Sequence, residues 1–106
     1  MITEKQIEEH LAALEGLGPR LASSRADAEF ASDMLRTVYA NEYLKAEAPR
    51  AADKEAMALA SDAYKAALTE KRRSMIESET LRHERAWRER VIEAWQTLSA
   101  NNRGRI

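Results

Sequence analysis

Apolar residues recur along most of the chain at steps of three or four residues, the spacing that is typical of amphipathic helices. Near the N-terminus, Thr3 and Gln6 match the capping-box pattern, in which each side chain bonds the backbone amide of the other residue. Ile7 and Leu11 follow on one face of the helix that this box would begin. The pattern therefore predicts a first helix over about residues 4–15.

A cluster of helix-breaking residues follows this first helix. Gly16, Gly18 and Pro19 are expected to end it, because glycine accepts the left-handed conformation of a helix C-terminus. Proline suits the first turn of a new helix, since its missing N–H has no partner there in any case. The sequence therefore predicts a break at these residues and the start of a second helix at about residue 20.

The second predicted helix is long and amphipathic. Its main apolar positions are Leu21, Ala28, Ala31, Leu35 and Val38. Phe30 and Met34 widen this stripe. Pro49 should end the helix, because the residue before a proline is pushed out of the α region. We therefore expect this helix over about residues 20–47.

Two further helices are predicted in the second half of the chain. The alanine-rich residues 51–60 favour a short helix, and Ser61 or Asp62 is the predicted N-cap of the next one. Residues 62–100 contain neither glycine nor proline, which predicts one long helix. The polar, basic residues 101–106 are expected to form a frayed tail.

The last helix carries two apolar stripes. At about 100° per residue, Tyr64, Leu68 and Met75 lie near one direction. A second stripe, roughly 120° away, contains Ile76, Thr80, Trp87, Val91, Ala94 and Leu98. A chain this small lacks the helices to cover both stripes, so we expect the second stripe to pack against another chain. The predicted oligomer interface consists of Ile76, Trp87, Val91, Trp95 and Leu98.

These elements predict an all-α fold in a single helical domain over residues 1–106. Short N-terminal helices would precede two long amphipathic helices in an antiparallel helical hairpin, which oligomerises through the last helix as in a coiled coil. The core should be thin, because a chain of 106 residues buries only about two-thirds of its unfolded surface.

The composition excludes several classes of site. The chain has no cysteine, which excludes disulfides, thiolate metal sites and a cysteine nucleophile and is compatible with a reducing cytoplasm. No apolar run approaches the roughly 18 residues that span a bilayer, and no signal segment is visible, so we expect a cytoplasmic protein.

The sequence offers little that would support catalysis. His10 and His83 lie on different predicted helices and outside any recognised ligand spacing. Gly-rich phosphate loops, nucleophile elbows and Ser/His/Asp groupings are absent from the sequence. We therefore expect no catalytic residue, cofactor or metal, and a protein that is not an enzyme.

Charge is distributed unevenly along the chain. Residues 1–50 carry six basic and nine acidic side chains, whereas residues 51–106 carry eleven basic and nine acidic ones. The candidate nucleic-acid-binding residues are Lys54, Lys71, Arg72, Arg73, Arg82 and Arg85. Lys71, Arg82 and Arg85 are expected on nearly one face, where forked donors would match phosphates. Interspersed glutamates leave the alternative of a solvated helix face with salt bridges.

The order of several features resembles a known family. An early helix with Ala28, Tyr39 and Tyr43 is followed by a link over residues 51–56 and by Ser61-Asp62-Ala63-Tyr64. A charged helix with Trp95 then ends in Asn101-Asn102-Arg103. In this order of features, the segment from residue 25 to residue 100 resembles the UvsY-like recombination mediators of phages.

The resemblance implies a phage-encoded oligomer that binds single-stranded DNA and helps to load a RecA-like recombinase in the host cytoplasm. It also implies that basic residues of the family carry over onto Lys54, Lys71, Arg72 and Arg82. The leading hypothesis is thus a non-enzymatic, oligomeric helical accessory protein, with this mediator as its most specific form. The alternative is a helical protein-interaction module, such as a phage-encoded inhibitor or adaptor of a host protein.

Overall fold

The computed structural model describes residues 2–104, and the regular secondary structure of these residues is entirely α-helical. Helix α1 spans Glu4–Lys45, α2 spans Ala51–Ala60 and α3 spans Asp62–Gly104. The predicted all-α class is confirmed for this part of the chain.

Helices α1 and α3 begin at the caps that the sequence indicates. The amide of Thr3 donates to Oε1 of Gln6 at 2.9 Å, and the amide of Gln6 donates to Oγ1 of Thr3 at 3.2 Å. Ser61 separates α2 from α3, since its hydroxyl donates to the carbonyl of Ala58 at 2.8 Å and accepts from the amide of Tyr64 at 3.1 Å. These bonds satisfy amides that have no partner within the helix.

The predicted break between the first two helices is wrong, because α1 continues through Gly16, Gly18 and Pro19. Neither glycine has a positive φ, so neither forms a left-handed cap. An internal proline costs a helix roughly 3 kcal/mol. Leu17, in the middle of this cluster, is only 1% exposed, and burying a leucine stabilises by about 1.5–3 kcal/mol. Burial on a continuous helix therefore offsets most of the cost.

The predicted frayed tail is also partly wrong. Residues 101–104 continue α3, where Nε of Arg103 donates to the carbonyl of Ser99 at 3.4 Å. No helix breaker precedes Gly104 in this stretch, so the helix extends to it. Residues 105–106 of the predicted tail lie outside the described residues.

Buried residues follow a seven-residue repeat. On α1 this agrees with the predicted stripe, where Ala31 is buried and the other main positions are half-buried, whereas on α3 the buried face differs from the prediction. Leu17, Ser24 and Ala31 are buried at this interval on α1, as are Ser74 and Leu81 on α3. On α3 the difference is one of phase and not of period, because Leu68 and Met75 of the predicted stripe are also seven residues apart. The buried Ser74 is the neighbour of Met75, about 100° away around the helix.

This displacement by one residue leaves large side chains of the predicted stripe outside the core. Leu68 and Met75, which were expected to share a buried stripe with Tyr64, are 46% and 49% exposed. The short side chain of Ser74 takes the buried position instead.

The contacts divide the chain into two compact units. The terminal unit combines the residues up to Ala22 with those from Glu79 onward, and its buried apolar side chains are Ile7, Leu17, Leu81 and Ile92. The central unit is Ser23–Ser78. Its buried side chains are small: Ser24, Ala31, Ala46, Ala58 and Ser74.

Aromatic side chains join the three helices within the central unit. The ring of Tyr39 lies 6.3 Å from that of Tyr43 and 6.1 Å from that of Tyr64, the latter edge to face. From α2, Nζ of Lys54 lies 5.9 Å from the centre of the Tyr43 ring. Burial raises the pKa of Tyr39, and the nearby charge of Glu55 raises it further.

Candidate interaction surface

Trp87 in the terminal unit is exposed and yet contacted by side chains of both α1 and α3. Its side chain is 55% exposed. His10 of α1 packs in an edge contact with the indole, with ring centroids 5.2 Å apart and ring planes at 78°. The guanidinium of Arg88 lies over the indole, 5.3 Å from its centre. An aromatic side chain that is already ordered loses little conformational entropy when a partner covers it.

Arg88 connects these contacts. Its Nη1 donates to Nδ1 of His10 at 3.0 Å, and its Nε and Nη2 donate to Oε1 of Glu84 at 3.2 and 3.1 Å. A guanidinium has donors only, so this geometry makes Nδ1 of His10 an acceptor and assigns the ring proton to Nε2. The terminal unit therefore contains a cluster of four side chains, Glu84, Arg88, His10 and Trp87, which the spacing along the sequence did not predict.

The predicted oligomer interface is divided between the two units. Trp87, Val91, Trp95 and Leu98 lie in the terminal unit, where Leu98 is 56% exposed and Val91 and Trp95 are half-buried. Ile76 is also exposed, but it belongs to the central unit. Four of the five residues thus share one unit, and large apolar side chains among them remain open to solvent.

A second apolar surface is a groove of about 450 Å³ in the central unit. Ala31 and Ser74 contribute small side chains to its lining, and Phe30 and Met34 line it from α1. Phe30 is 67% exposed, although it was predicted to widen the buried stripe. The buried seam beside this flank consists of the small residues Ser24 and Ala31, so hydrophobicity along the sequence did not separate the seam from the flank.

The predicted nucleic-acid-binding residue Arg73 is already paired with carboxylates of its own helix. Its Nε donates to Oε2 of Glu70 at 3.1 Å, and its Nη1 lies 3.6 Å from Oε2 of Glu77. The hydrogen bond from Arg73 holds the pKa of Glu70 below its usual value, and the same pair raises the pKa of Arg73.

Two further predicted arginines form similar pairs in the terminal unit. Nη1 of Arg82 lies 2.9 Å from Oε1 of Glu79, and Nε of Arg85 lies 3.8 Å from Oε1 of Glu89. All four side chains are more than half exposed. Such exposed pairs stabilise a helix only slightly. They nevertheless place a negative carboxylate beside each guanidinium, and this carboxylate would repel a phosphate that approaches the arginine.

The remaining predicted residues occupy different environments. Lys54 lies against the ring of Tyr43, and Arg72 is exposed. Lys71 is half-buried, which differs from the prediction that it shares one exposed face with Arg82 and Arg85.

Neither unit carries a net positive side-chain charge. The terminal unit has eight basic and eight acidic residues, and the central unit has nine basic and ten acidic residues. The electrostatic attraction that accounts for non-specific binding to nucleic acid is therefore absent at the level of a whole unit.

No protein-family model matches the sequence, and neither a curated protein nor a solved structure is significantly similar to it. The resemblance to the recombination mediators stays a prediction. Within residues 2–104, no helix has an apolar stretch long enough to cross a membrane. The same residues contain no group of three or more His, Cys, Asp or Glu side chains placed to hold a metal ion.

Proposed function

We propose that this chain is a non-enzymatic helical accessory protein that works as an oligomer, in which α3 of one copy packs against α3 of another. The observation that carries the proposal is Trp87, a large aromatic side chain that is ordered by His10 and Arg88 while more than half of it stays exposed. Residues that dominate binding at protein interfaces are most often of this kind.

The surroundings of Trp87 favour a helix as the partner. Within the terminal unit, Thr80, Trp87 and Ala94 recur every seven residues, and Val91 and Leu98 alternate with them at the same interval. A stripe with this spacing packs against another stripe of the same spacing, with side chains of one helix filling the holes of the other. A second copy of α3 supplies such a stripe.

We also propose that α1 and α3 run antiparallel to each other within one chain. Within the central unit, Tyr39 near the end of α1 contacts Tyr64 near the start of α3. Earlier in α1, the charge of Asp27 acts on Arg73, which lies later in α3. This order of contacts supports helices that run in opposite directions.

Sedimentation from about 1 to about 100 µM protein tests the proposal over the range of modest affinities. We expect the wild-type chain to form an oligomer and Trp87→Ala to shift it towards the monomer. Leu44→Ala is the matched control, because Leu44 is 81% exposed in the central unit and its loss should leave the association unchanged. A wild-type monomer over the whole range would refute the proposal.

Binding to single-stranded DNA separates this function from the mediator function. At about 50 mM salt, where electrostatic affinity is strongest, we expect little binding because each unit is near neutral. Strong binding that weakens with salt by a slope of about 0.7 per phosphate would favour the mediator instead. The double variant Arg82→Glu/Arg85→Glu should then reduce both the affinity and the slope, without unfolding a helix on which both arginines are exposed.

A further inference from the structure

We infer that His10 makes the self-association of this protein sensitive to pH, because its imidazole stays at the edge of Trp87 only while its unprotonated Nδ1 accepts from Arg88. The inference rests on the proposed function, since it concerns the surface that Trp87 offers to a second copy. Two contacts support it. Nη1 of Arg88 lies 3.0 Å from Nδ1 of His10, and the His10 ring packs edge-on against Trp87.

The bond exists in only one protonation state of the imidazole. An arginine guanidinium offers hydrogen-bond donors only. Nδ1 of His10 can therefore accept from Arg88 only while it has no proton. A proton on Nδ1 replaces the acceptor with a second donor and places two cations in contact. Histidine is the side chain whose charge changes between about pH 5 and 8.

The charged groups around His10 determine how the cluster responds to protonation. Arg88 faces it from α3, and Glu84 lies behind Arg88 with Oε1 bonded to two nitrogens of the guanidinium. When the bond to His10 breaks, the two hydrogen bonds to Glu84 therefore keep the Arg88 guanidinium in its position on α3. The imidazole is the group that moves, and Trp87 loses the edge contact that orders it.

This loss affects the proposed interface in two ways. Trp87 regains rotamer freedom, which a partner must then restrict on binding. The interface also gains a second cation beside Arg88, and bringing like charges out of water is unfavourable. Both effects weaken association, so we expect the dissociation constant to rise about tenfold as the pH falls from about 8 to about 5.5.

Three single variants isolate the effect of His10. His10→Gln keeps an acceptor but cannot take a proton, so its association should not change with pH. His10→Lys carries a fixed cation and should associate as weakly at high pH as the wild type does at low pH. His83→Gln is the matched control, because His83 is an exposed histidine of α3 and its replacement should leave the pH dependence intact.

A spectroscopic signal reports on the same contact without any association. In Trp95→Phe, Trp87 is the only indole of the chain. At concentrations below the association range, its fluorescence should change with pH as a single proton binds, and adding His10→Gln should abolish this change. Far-UV circular dichroism should show that the helices persist in each variant.

The possible results distinguish a failure of the proposed self-association from a failure of its pH sensitivity. Oligomers with the same dissociation constant from about pH 8 to about pH 5.5 would refute the pH sensitivity and leave the proposed function standing. A monomer whose Trp87 fluorescence still titrates through His10 would refute the self-association and leave the proton-dependent contact standing. A titration that survives His10→Gln would assign the proton to another group and overturn the inference.

Discussion

Replacing Gly16 and Gly18 together with alanine should stabilise the protein, although both residues have the sequence context of a helix end. The two glycines lie inside α1 with ordinary negative φ angles. A Cβ added at either position meets no heavy atom within 4 Å beyond its immediate surroundings. Neither a turn nor a close approach of another helix therefore requires glycine here.

The expected gain follows from helix propensity. Alanine is more favourable than glycine in a helix interior by about 0.8–1.0 kcal/mol, so the double variant Gly16→Ala/Gly18→Ala should gain about 1.6–2 kcal/mol in the free energy of unfolding. For a domain of about 100 residues this corresponds to a rise in Tm of roughly 6–16 °C. The measurement is urea and thermal unfolding followed by far-UV circular dichroism, at one fixed protein concentration because association shifts Tm.

Gly104→Ala is the matched control. Gly104 also has open space around its Cα, but it is the last residue of α3, where the helix gains little from higher propensity. We expect a change there of no more than about 0.3 kcal/mol. A double variant that is less stable than the wild type would show that α1 bends or breaks at these residues, and the continuous helix would be refuted.

Three further changes test the packing, the cap and the ion pairs. Leu17→Ala should cost about 2–5 kcal/mol in unfolding free energy because Leu17 is buried, whereas Leu11→Ala should cost much less because half of Leu11 is exposed. Ser61→Ala should cost about 1 kcal/mol, measured in the same unfolding assay, because it removes the N-cap of α3. The lowered pKa of Glu70 implies stability that is present above the usual pKa of a glutamate and lost as pH falls through the lowered value. An NMR titration of Arg73→Gln should show the pKa of Glu70 rising towards its usual value, and an unchanged pKa would refute the pairing.

Local signals in the sequence were sufficient to locate the ends of several helices. The box formed by Thr3 and Gln6 and the hydroxyl of Ser61 act within three residues of their partners, so no knowledge of tertiary structure was needed. The break at Pro19 failed for the opposite reason. Its cost is local, but Leu17, whose burial offsets it, belongs to a unit that also contains the distant residues from Glu79 onward.

The buried faces could be predicted only in part, because the repeat that decides them belongs to a pair of helices. A single straight helix repeats its face every 3.6 residues, and over a helix as long as α3 the difference from 3.5 moves the face by about 20° per heptad. Ser74 and Met75 are neighbours in the sequence and about 100° apart around the helix. The drift over one heptad is too small to decide which of the two is buried, so the position of the partner helix decides it. Small residues such as Ser74 carry no hydrophobic signal, so their burial is invisible until the partner helix is known.

The same limit explains why Trp87 was identified from the sequence while its environment was not. Spacing along α3 is enough to put Trp87 on an apolar stripe. The contact with His10 depends on the register between α1 and α3, and amphipathic spacing leaves that register open, because a shift by one heptad preserves every face. The register of α1 against α3 brings the imidazole of His10, the guanidinium of Arg88 and the indole of Trp87 together. Neither helix alone contains this cluster, in which a hydrogen bond that needs an unprotonated imidazole nitrogen lies next to an exposed aromatic ring.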